Sequence, residues 1–264
     1  FNINGSSSTS EDKNAGIYAG SGSSKVSDDR STFAISGTGN NGIYAADGDV
    51  ETSGTTFQVF GHWKNNGIYA KASGKDVKVT GGSFNITGTE SNGIRAEESN
   101  IITNGVSFTV NGSSANGIHL SSNAVKLEDT DSTFNISNGN SNGVYAKKGD
   151  VTLDGTRMTV SGTHNNGVLL LQGVGTVNIQ GTNRRGSYTV NGSGGLDGNN
   201  GVYVSNNVTV AKIEKNDFTV NGNGVGLLVG DTSGAGTVTL IDDSTFNVTN
   251  TNASSTNSGT AIYM

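Results

Sequence analysis

The sequence Asn-Gly-Ile-Tyr-Ala occurs at Asn41–Ala45 and again at Asn66–Ala70, and variants of it recur along the whole chain. The glycine of this phrase falls at positions 16, 42, 67, 93, 117, 143, 167, 201, 226 and 259. A second phrase alternates with it, an aromatic residue followed two positions later by Ile or Val, as at Phe33–Ile35 and Phe84–Ile86. Such self-similarity predicts one structural unit stacked on copies of itself.

Three short alternating runs make up each repeat. The third run lies between the two phrases, for example at Val77–Val79 and Val151–Leu153, and Gly, Asn, Asp and Ser punctuate all three. Period-two alternation indicates strands, and strands this short must pair with their equivalents one repeat above and below. We therefore predict an all-β chain folded as a right-handed parallel β-helix solenoid. It would have about ten coils of three short strands each, with residues 1–264 forming one unit.

The alternation also sorts side chains between the interior and the surface. Ile43, Ala45 and their equivalents should point inward, and the rings of the second phrase should stack inside as a column that includes Phe84 and Phe108. The Asn before each repeated glycine should form its own ladder, in which stacked amides bond to copies above and below. We expect the glycine that follows this Asn to need a positive φ angle.

Composition excludes several classes of function. The chain has 41 Gly, no Pro, no Cys and a formal net charge of −6 without a block of like charge. Absent Cys removes disulfides and thiolate metal sites, and the acidic balance argues against nucleic acid as a partner. No apolar run approaches the ~20 residues of a membrane-spanning helix.

Motifs for catalysis or cofactor binding are not found. HExxH, CxxC and Walker A sequences are missing, and His62, His119 and His164 fall in different coils, so they cannot converge on one metal. The GDTSG at Gly230–Gly234 resembles a serine-protease phrase but has no His or Asp partner. We expect no cofactor, no bound metal and no enzymatic activity.

An outward tyrosine stripe is the first candidate binding site. Tyr18, Tyr44 and Tyr69 occupy the same outward position of successive coils, where exposed rings would stack along the rod. Such a stripe could bind glycan rings or a protein, because Tyr is favoured at interfaces. The alternative is that these aromatic pairs only stabilise their sheet. The outward position of the Phe strand, from Asn2 to Asn247, is instead a polar stripe that could associate with another rod.

Departures from the repeat are the other candidates, because function usually resides in them. They are the Ser6–Lys13 stretch, the turn with the only Trp (Trp63), the Gly181–Gly198 insertions with Arg184 and Arg185, and Thr249–Ser258. Trp63 either contacts a ligand or caps local apolar surface. Arg184 and Arg185 either bind a partner or lie in a solvated loop.

The repeat of NGIYA, GDV (Gly48–Val50) and F-x-V/I-x-G (Phe84–Gly88) resembles the passenger domain of Gram-negative type V autotransporters of the adhesin kind. The resemblance covers nearly the whole chain. It implies a β-helix that is exported unfolded, displayed outside the bacterial outer membrane and anchored by a C-terminal β-barrel that this sequence does not contain. The 264 residues would then be a segment of a longer passenger.

The function expected from this resemblance is adhesion. The chain would attach to a host surface protein or glycan, or to neighbouring cells, or would self-associate between bacteria. A polysaccharide-degrading enzyme on the same fold and a structural stalk that holds a distal domain away from the membrane are the alternatives.

Overall fold

The computed structural model of the protein describes residues 1–6, 14–20, 22, 25–121, 126–192, 198–230, 234–249 and 259–264. These residues form thirty β-strands, numbered in chain order. The strands are β1 (Asn2–Ser6), β2 (Asn14–Ala19), β3 (Val26–Asp29), β4 (Thr32–Thr38), β5 (Asn40–Ala45), β6 (Val50–Ser53), β7 (Thr56–Val59), β8 (Asn66–Ala70), β9 (Asp76–Thr80), β10 (Ser83–Ile86), β11 (Asn92–Ala96), β12 (Asn100–Asn104), β13 (Ser107–Val110), β14 (Asn116–Leu120), β15 (Lys126–Thr130), β16 (Thr133–Ile136), β17 (Asn142–Ala146), β18 (Gly149–Asp154), β19 (Arg157–Val160), β20 (Asn166–Leu170), β21 (Val174–Gln180), β22 (Gly186–Gly192), β23 (Asn199–Val204), β24 (Thr209–Glu214), β25 (Asn216–Gly222), β26 (Gly224–Val229), β27 (Thr237–Val238), β28 (Ile241–Asp242), β29 (Thr245–Thr249) and β30 (Thr260–Tyr263).

The strands assemble into three ten-stranded sheets, each of which takes one strand from every coil. Sheet A takes β1, β4 and every third strand to β25, then β29; sheet B takes β2, β5 and every third strand to β26, then β30. Sheet C takes β3, β6 and every third strand to β27, and β28 also pairs with β24. The predicted parallel β-solenoid of about ten coils is thereby confirmed, and helices are absent from the described ranges.

A column of aromatic rings fills the interior behind sheet A. Phe57 pairs with Phe33 on one side and Phe84 on the other, and the ring-centroid distances along the stacked column lie between 4.5 and 4.9 Å. Met158 takes the place of a ring in one coil. The column is therefore the predicted internal ladder, and offset or parallel ring contact adds to the burial of apolar area.

A continuous ladder of asparagine amides runs along the corner between sheets A and B. In each coil the Nδ2 of the ladder residue donates to the Oδ1 of the residue one coil earlier, always at 2.9 Å. The ladder consists of Asn41, Asn66, Asn92, Asn116, Asn142, Asn166 and Asn200. These side chains are buried, so the ladder satisfies polar groups that would otherwise destabilise the interior. This prediction is confirmed.

The repeated glycine serves a different purpose from the one predicted. Gly42, Gly67 and Gly93 do not have positive φ angles. A Cβ atom on Gly42 would lie 2.6 Å from the carbonyl oxygen of Gly67, and one on Gly93 would lie 2.6 Å from that of Gly117. Glycine is required because successive coils approach too closely for a side chain at this corner.

Phe84→Ala tests the aromatic column. Removing a ring that is 1% exposed leaves a cavity between two stacked neighbours, so the free energy of unfolding should fall by ~3–5 kcal/mol. Urea titration followed by circular dichroism measures this loss. The matched control is Asn85→Ala, which changes the adjacent exposed side chain and should shift stability by less than ~0.5 kcal/mol. Equal losses for the two variants would contradict the assignment of the interior.

Candidate binding surface

Each sheet presents an outer face of distinct chemistry. Face A, the outside of sheet A, consists of Thr32, Ala34, Ser36, Thr56, Gln58, Phe60, Ser83, Asn85, Thr87, Ser107, Thr109, Asn111, Thr133, Asn135, Ser137, Arg157, Thr159, Ser161, Ser187, Thr189, Asn191, Asp217, Thr219, Asn221, Thr245, Asn247 and Thr249. Face B, outside sheet B, contains the tyrosine stripe. Face C, outside sheet C, is charged and contains ion pairs such as Lys126–Glu128 at 2.9 Å and Lys212–Glu214 at 3.0 Å.

The predicted exposure of the tyrosine stripe is wrong for two of its three residues. Tyr18 is 63% exposed, but Tyr44 is 6% exposed and Tyr69 is 2% exposed. All three rings do point outward and stack along the rod, with centroids 5.3 Å apart at both steps. The rings shield one another, so the stripe offers little aromatic surface beyond Tyr18.

Charged side chains from the neighbouring coil complete the burial of Tyr69. Its hydroxyl donates to Glu97 Oε1 at 2.5 Å, and the Arg95 guanidinium lies 4.9 Å from the ring centroid. Lys71 Nζ lies 5.8 Å from the same centroid. Cation–π contacts of this kind stabilise the sheet. The contacts favour the structural alternative for Tyr69, and whether the stripe binds a partner stays a prediction.

His119 continues the face B stack at the centre of the rod. Its ring lies 4.8 Å from that of Tyr145 and pairs across the sheet with Arg95. Burial, together with the positive charges of Arg95 and Lys147, lowers the pKa of His119 from 6.5 to about 3. The imidazole is therefore neutral in the folded protein at physiological pH.

The turn that contains Trp63 is exposed and well anchored. Trp63 is 46% exposed and its ring lies 4.4 Å from Lys64 Nζ. The Trp63 carbonyl accepts a hydrogen bond from Gly39 N at 2.9 Å, and Trp63 forms a parallel bridge with Thr38 of the preceding coil. Phe60, which the sequence reasoning missed, is 42% exposed in the same connection. The residue lies one position beyond the second phrase, where the repeat gives no signal of its own.

Arg184 and Arg185 make ion pairs with other coils. Arg184 Nη2 lies 3.0 Å from Asp131 Oδ1 and donates to the carbonyl of Gly155. Arg185 forms a forked pair with Asp217, with its Nη2 2.9 Å from Oδ1, and reaches Asp243 Oδ1 at 3.1 Å. Arg185 lowers the pKa of Asp217. Both arginine side chains are nevertheless 37% exposed, and a binding role for either of them stays a prediction.

Parts of the predicted loop sites lie outside the described residues. These parts are 7–13 of Ser6–Lys13, 193–197 of Gly181–Gly198 and 250–258 of Thr249–Ser258. Within the described ranges, no group of three His, Asp or Glu side chains would suit a metal ion.

One acidic side chain of β15, in sheet C, is buried in the interior. Asp129 is 1% exposed and accepts hydrogen bonds from the hydroxyls of Thr103, at 2.5 Å, and Thr156. Burial raises the pKa of this carboxyl despite the hydroxyl donors. Asp129 therefore belongs to the packing of the solenoid.

Comparisons of the chain with models of protein families, with curated proteins and with solved structures gave no match. The part of the chain that the structure describes also contains no helix that could span a membrane. The resemblance to autotransporter passengers accordingly depends on the repeat and on the parallel solenoid.

The lowered pKa of His119 predicts a pH dependence of stability. Below pH 6.5 the His119 imidazole of the unfolded chain is protonated, whereas that of the native protein stays neutral until about pH 3. The contribution of His119 to the free energy of unfolding is therefore fully present above pH 6.5 and is lost as the pH falls towards 3. His119→Tyr introduces the residue found at this position in the following coil, Tyr145. The free energy of unfolding of this variant should fall less between pH 7.5 and 5 than that of the wild type.

Urea unfolding at the two pH values measures this difference. The control is His164→Asn, which removes an exposed imidazole from a turn where Asn140 occupies the equivalent place. If the wild type and His119→Tyr lose the same stability on acidification, the neutral state assigned to His119 is wrong.

Proposed function

We propose that the chain is an adhesin segment of the autotransporter kind, displayed outside a bacterial cell. It attaches to a protein or glycan on the surface of a host or neighbouring cell, or to another such rod. The observation that supports this best is a pair of exposed aromatic residues, Phe60 and Trp63, in a coil that is neither the first nor the last of the rod. Among the described residues, the large exposed apolar side chains lie in the first or last coil, except Phe60 and Trp63.

The Phe60–Trp63 turn suits attachment for physical reasons. Trp is among the residues that most often contribute the main binding energy of an interface. Backbone contacts of His62 and Trp63 with the preceding coil fix the turn, so binding loses little conformational entropy. The ammonium group of Lys64 beside the ring provides a donor for the hydroxyl or carbonyl oxygens of a glycan or protein.

We also propose that the chain is not an enzyme. Support comes from three Asp side chains that are already bound within the chain: Thr103 and Thr156 donate to Asp129, Arg184 pairs with Asp131, and Arg185 pairs with Asp243. The described histidines lie in separate coils. The stalk remains the second candidate, favoured by the length of the uninterrupted sheets.

Trp63→Ala tests the adhesin proposal. Beads coated with the purified chain are applied to cultured animal cells and to a glycan array, and bound beads are counted against chain density. Loss of a central aromatic contact should weaken attachment at least about tenfold. Thermal unfolding should be nearly unchanged, since the ring is half exposed.

Tyr263→Ala is the matched control, because Tyr263 is 45% exposed but lies in the last coil. Attachment should survive this change. Unaltered attachment of Trp63→Ala would move the binding site elsewhere, and a wild type that binds neither cells nor glycans would favour the stalk.

A further inference from the structure

Face A is an almost uncharged lattice of hydroxyl and amide groups. Each of nine successive rungs, from β4 to β29, contributes three outward positions, and Arg157 and Asp217 alone among them are ionisable. Asp217 is already paired with Arg185. Face C contrasts with this, because Glu51, Lys78, Glu128 and Lys212 occupy its outward positions. Since the chain has a net charge of −6, two copies can meet at face A with less like-charge repulsion than at face C.

The central column of face A has polar groups without partners in the described structure. Its side chains make no hydrogen bond to the rest of the chain, unlike the buried Asn ladder, in which every step is a 2.9 Å amide contact. The column consists of Gln58, Asn85, Thr109, Asn135, Thr159, Thr189, Thr219 and Asn247. Hydroxyl and amide groups are donors and acceptors at once, so this surface is complementary to itself.

The dimensions of face A also fit a protein interface. Together with the β1 rung at the start of sheet A, the nine rungs of face A lie ~4.8 Å apart and give a length of about 43 Å, and three outward positions on each rung give a width of about 17 Å. The face therefore covers on the order of 700 Å², close to the ~800 Å² that each partner contributes to a stable interface. The strands hold the side chains on a regular backbone, which reduces the entropy lost on association.

We propose that face A docks against face A of a second copy of this chain. The inference rests on the proposed surface role, since rods on two cells meet only if they are displayed. The two-fold symmetry of such a pair constrains the contacts. When the ten strands of sheet A overlap fully, the axis of an antiparallel pair passes between β13 and β16, whereas the axis of a parallel pair runs along the rods. Thr109 then faces Asn135 of the other copy when the rods are antiparallel, and each faces its own equivalent when they are parallel.

The test is the oligomeric state of purified chain by sedimentation velocity over a range of concentration. The disruptive variant is Thr109→Lys with Asn135→Lys, which places buried charges at the centre of the interface. The matched control is Thr152→Lys with Asn178→Lys, which adds the same charge to outward positions of face C. We expect a concentration-dependent dimer for the wild type and the control, and a monomer for the face A variant.

A mixing experiment tests whether positions 109 and 135 of the two copies face each other. In both full-overlap arrangements, Lys on one copy meets Glu on the other when the Lys variant is mixed with Thr109→Glu, Asn135→Glu. The mixture should associate, although each component alone stays monomeric. Association of the wild type should persist in about 1 M salt, where pairing between charged faces would be screened.

Three results would overturn the proposal: a wild type that is monomeric at all concentrations, a face A variant that dimerises like its control, or a mixture that stays monomeric. Phe60 belongs both to face A and to the Phe60–Trp63 turn, so Trp63, which lies outside face A, separates the two proposals. Trp63→Ala should dimerise like the wild type even if it no longer attaches to cells. Conversely, a wild type that is monomeric but attaches through Trp63 would refute face A docking alone.

Discussion

Parallel hydrogen bonding between successive coils, ~4.8 Å from strand to strand, is the constraint on which the other features of the molecule depend. This pairing places each residue of the repeat directly against its own equivalent. Phe57 therefore stacks on Phe84, Asn92 bonds to Asn66, and Gly42 lies so close to Gly67 that no side chain fits between them. A chain with only 31% hydrophobic residues can build an interior in this way, because the inward apolar side chains of successive coils stack in register.

The same stacking creates three outer faces of different chemistry. On face B, rings and cations in contact cover one another, which leaves little free aromatic surface at Tyr69. On face C, opposite charges pair locally, as in Lys126 with Glu128. On face A, the neutral side chains of the central column make no hydrogen bonds to one another across the sheet, and their polar groups stay available. Potential for association is therefore greatest where the side chains are short and uncharged.

Features that follow from the repeat could be predicted from the sequence alone. Sheet arrangement, the Phe column and the Asn ladder follow from the periodicity, because equivalent positions must stack. Features that depend on the length and reach of side chains were not predictable in this way. Tyr44 and Tyr69 point outward as expected, yet long neighbours such as Arg95 and Glu97 fold over the stripe. The partners of Arg185 lie 32 and 58 residues away. These separations depend on the length of an insertion, so they could not be predicted from the period of the repeat.

The in-register stacking of coils can be measured directly with nitroxide labels, since the chain has no native cysteine. Thr152 and Asn178 pair on neighbouring strands of sheet C and point to the same outer face. With cysteine-linked labels at both positions, ~5 Å between the backbone attachment points predicts a spectrum strongly broadened by spin–spin interaction, unlike that of either single label. A double-label spectrum equal to the sum of the two single-label spectra would contradict the parallel register, and with it the assignment of the three faces.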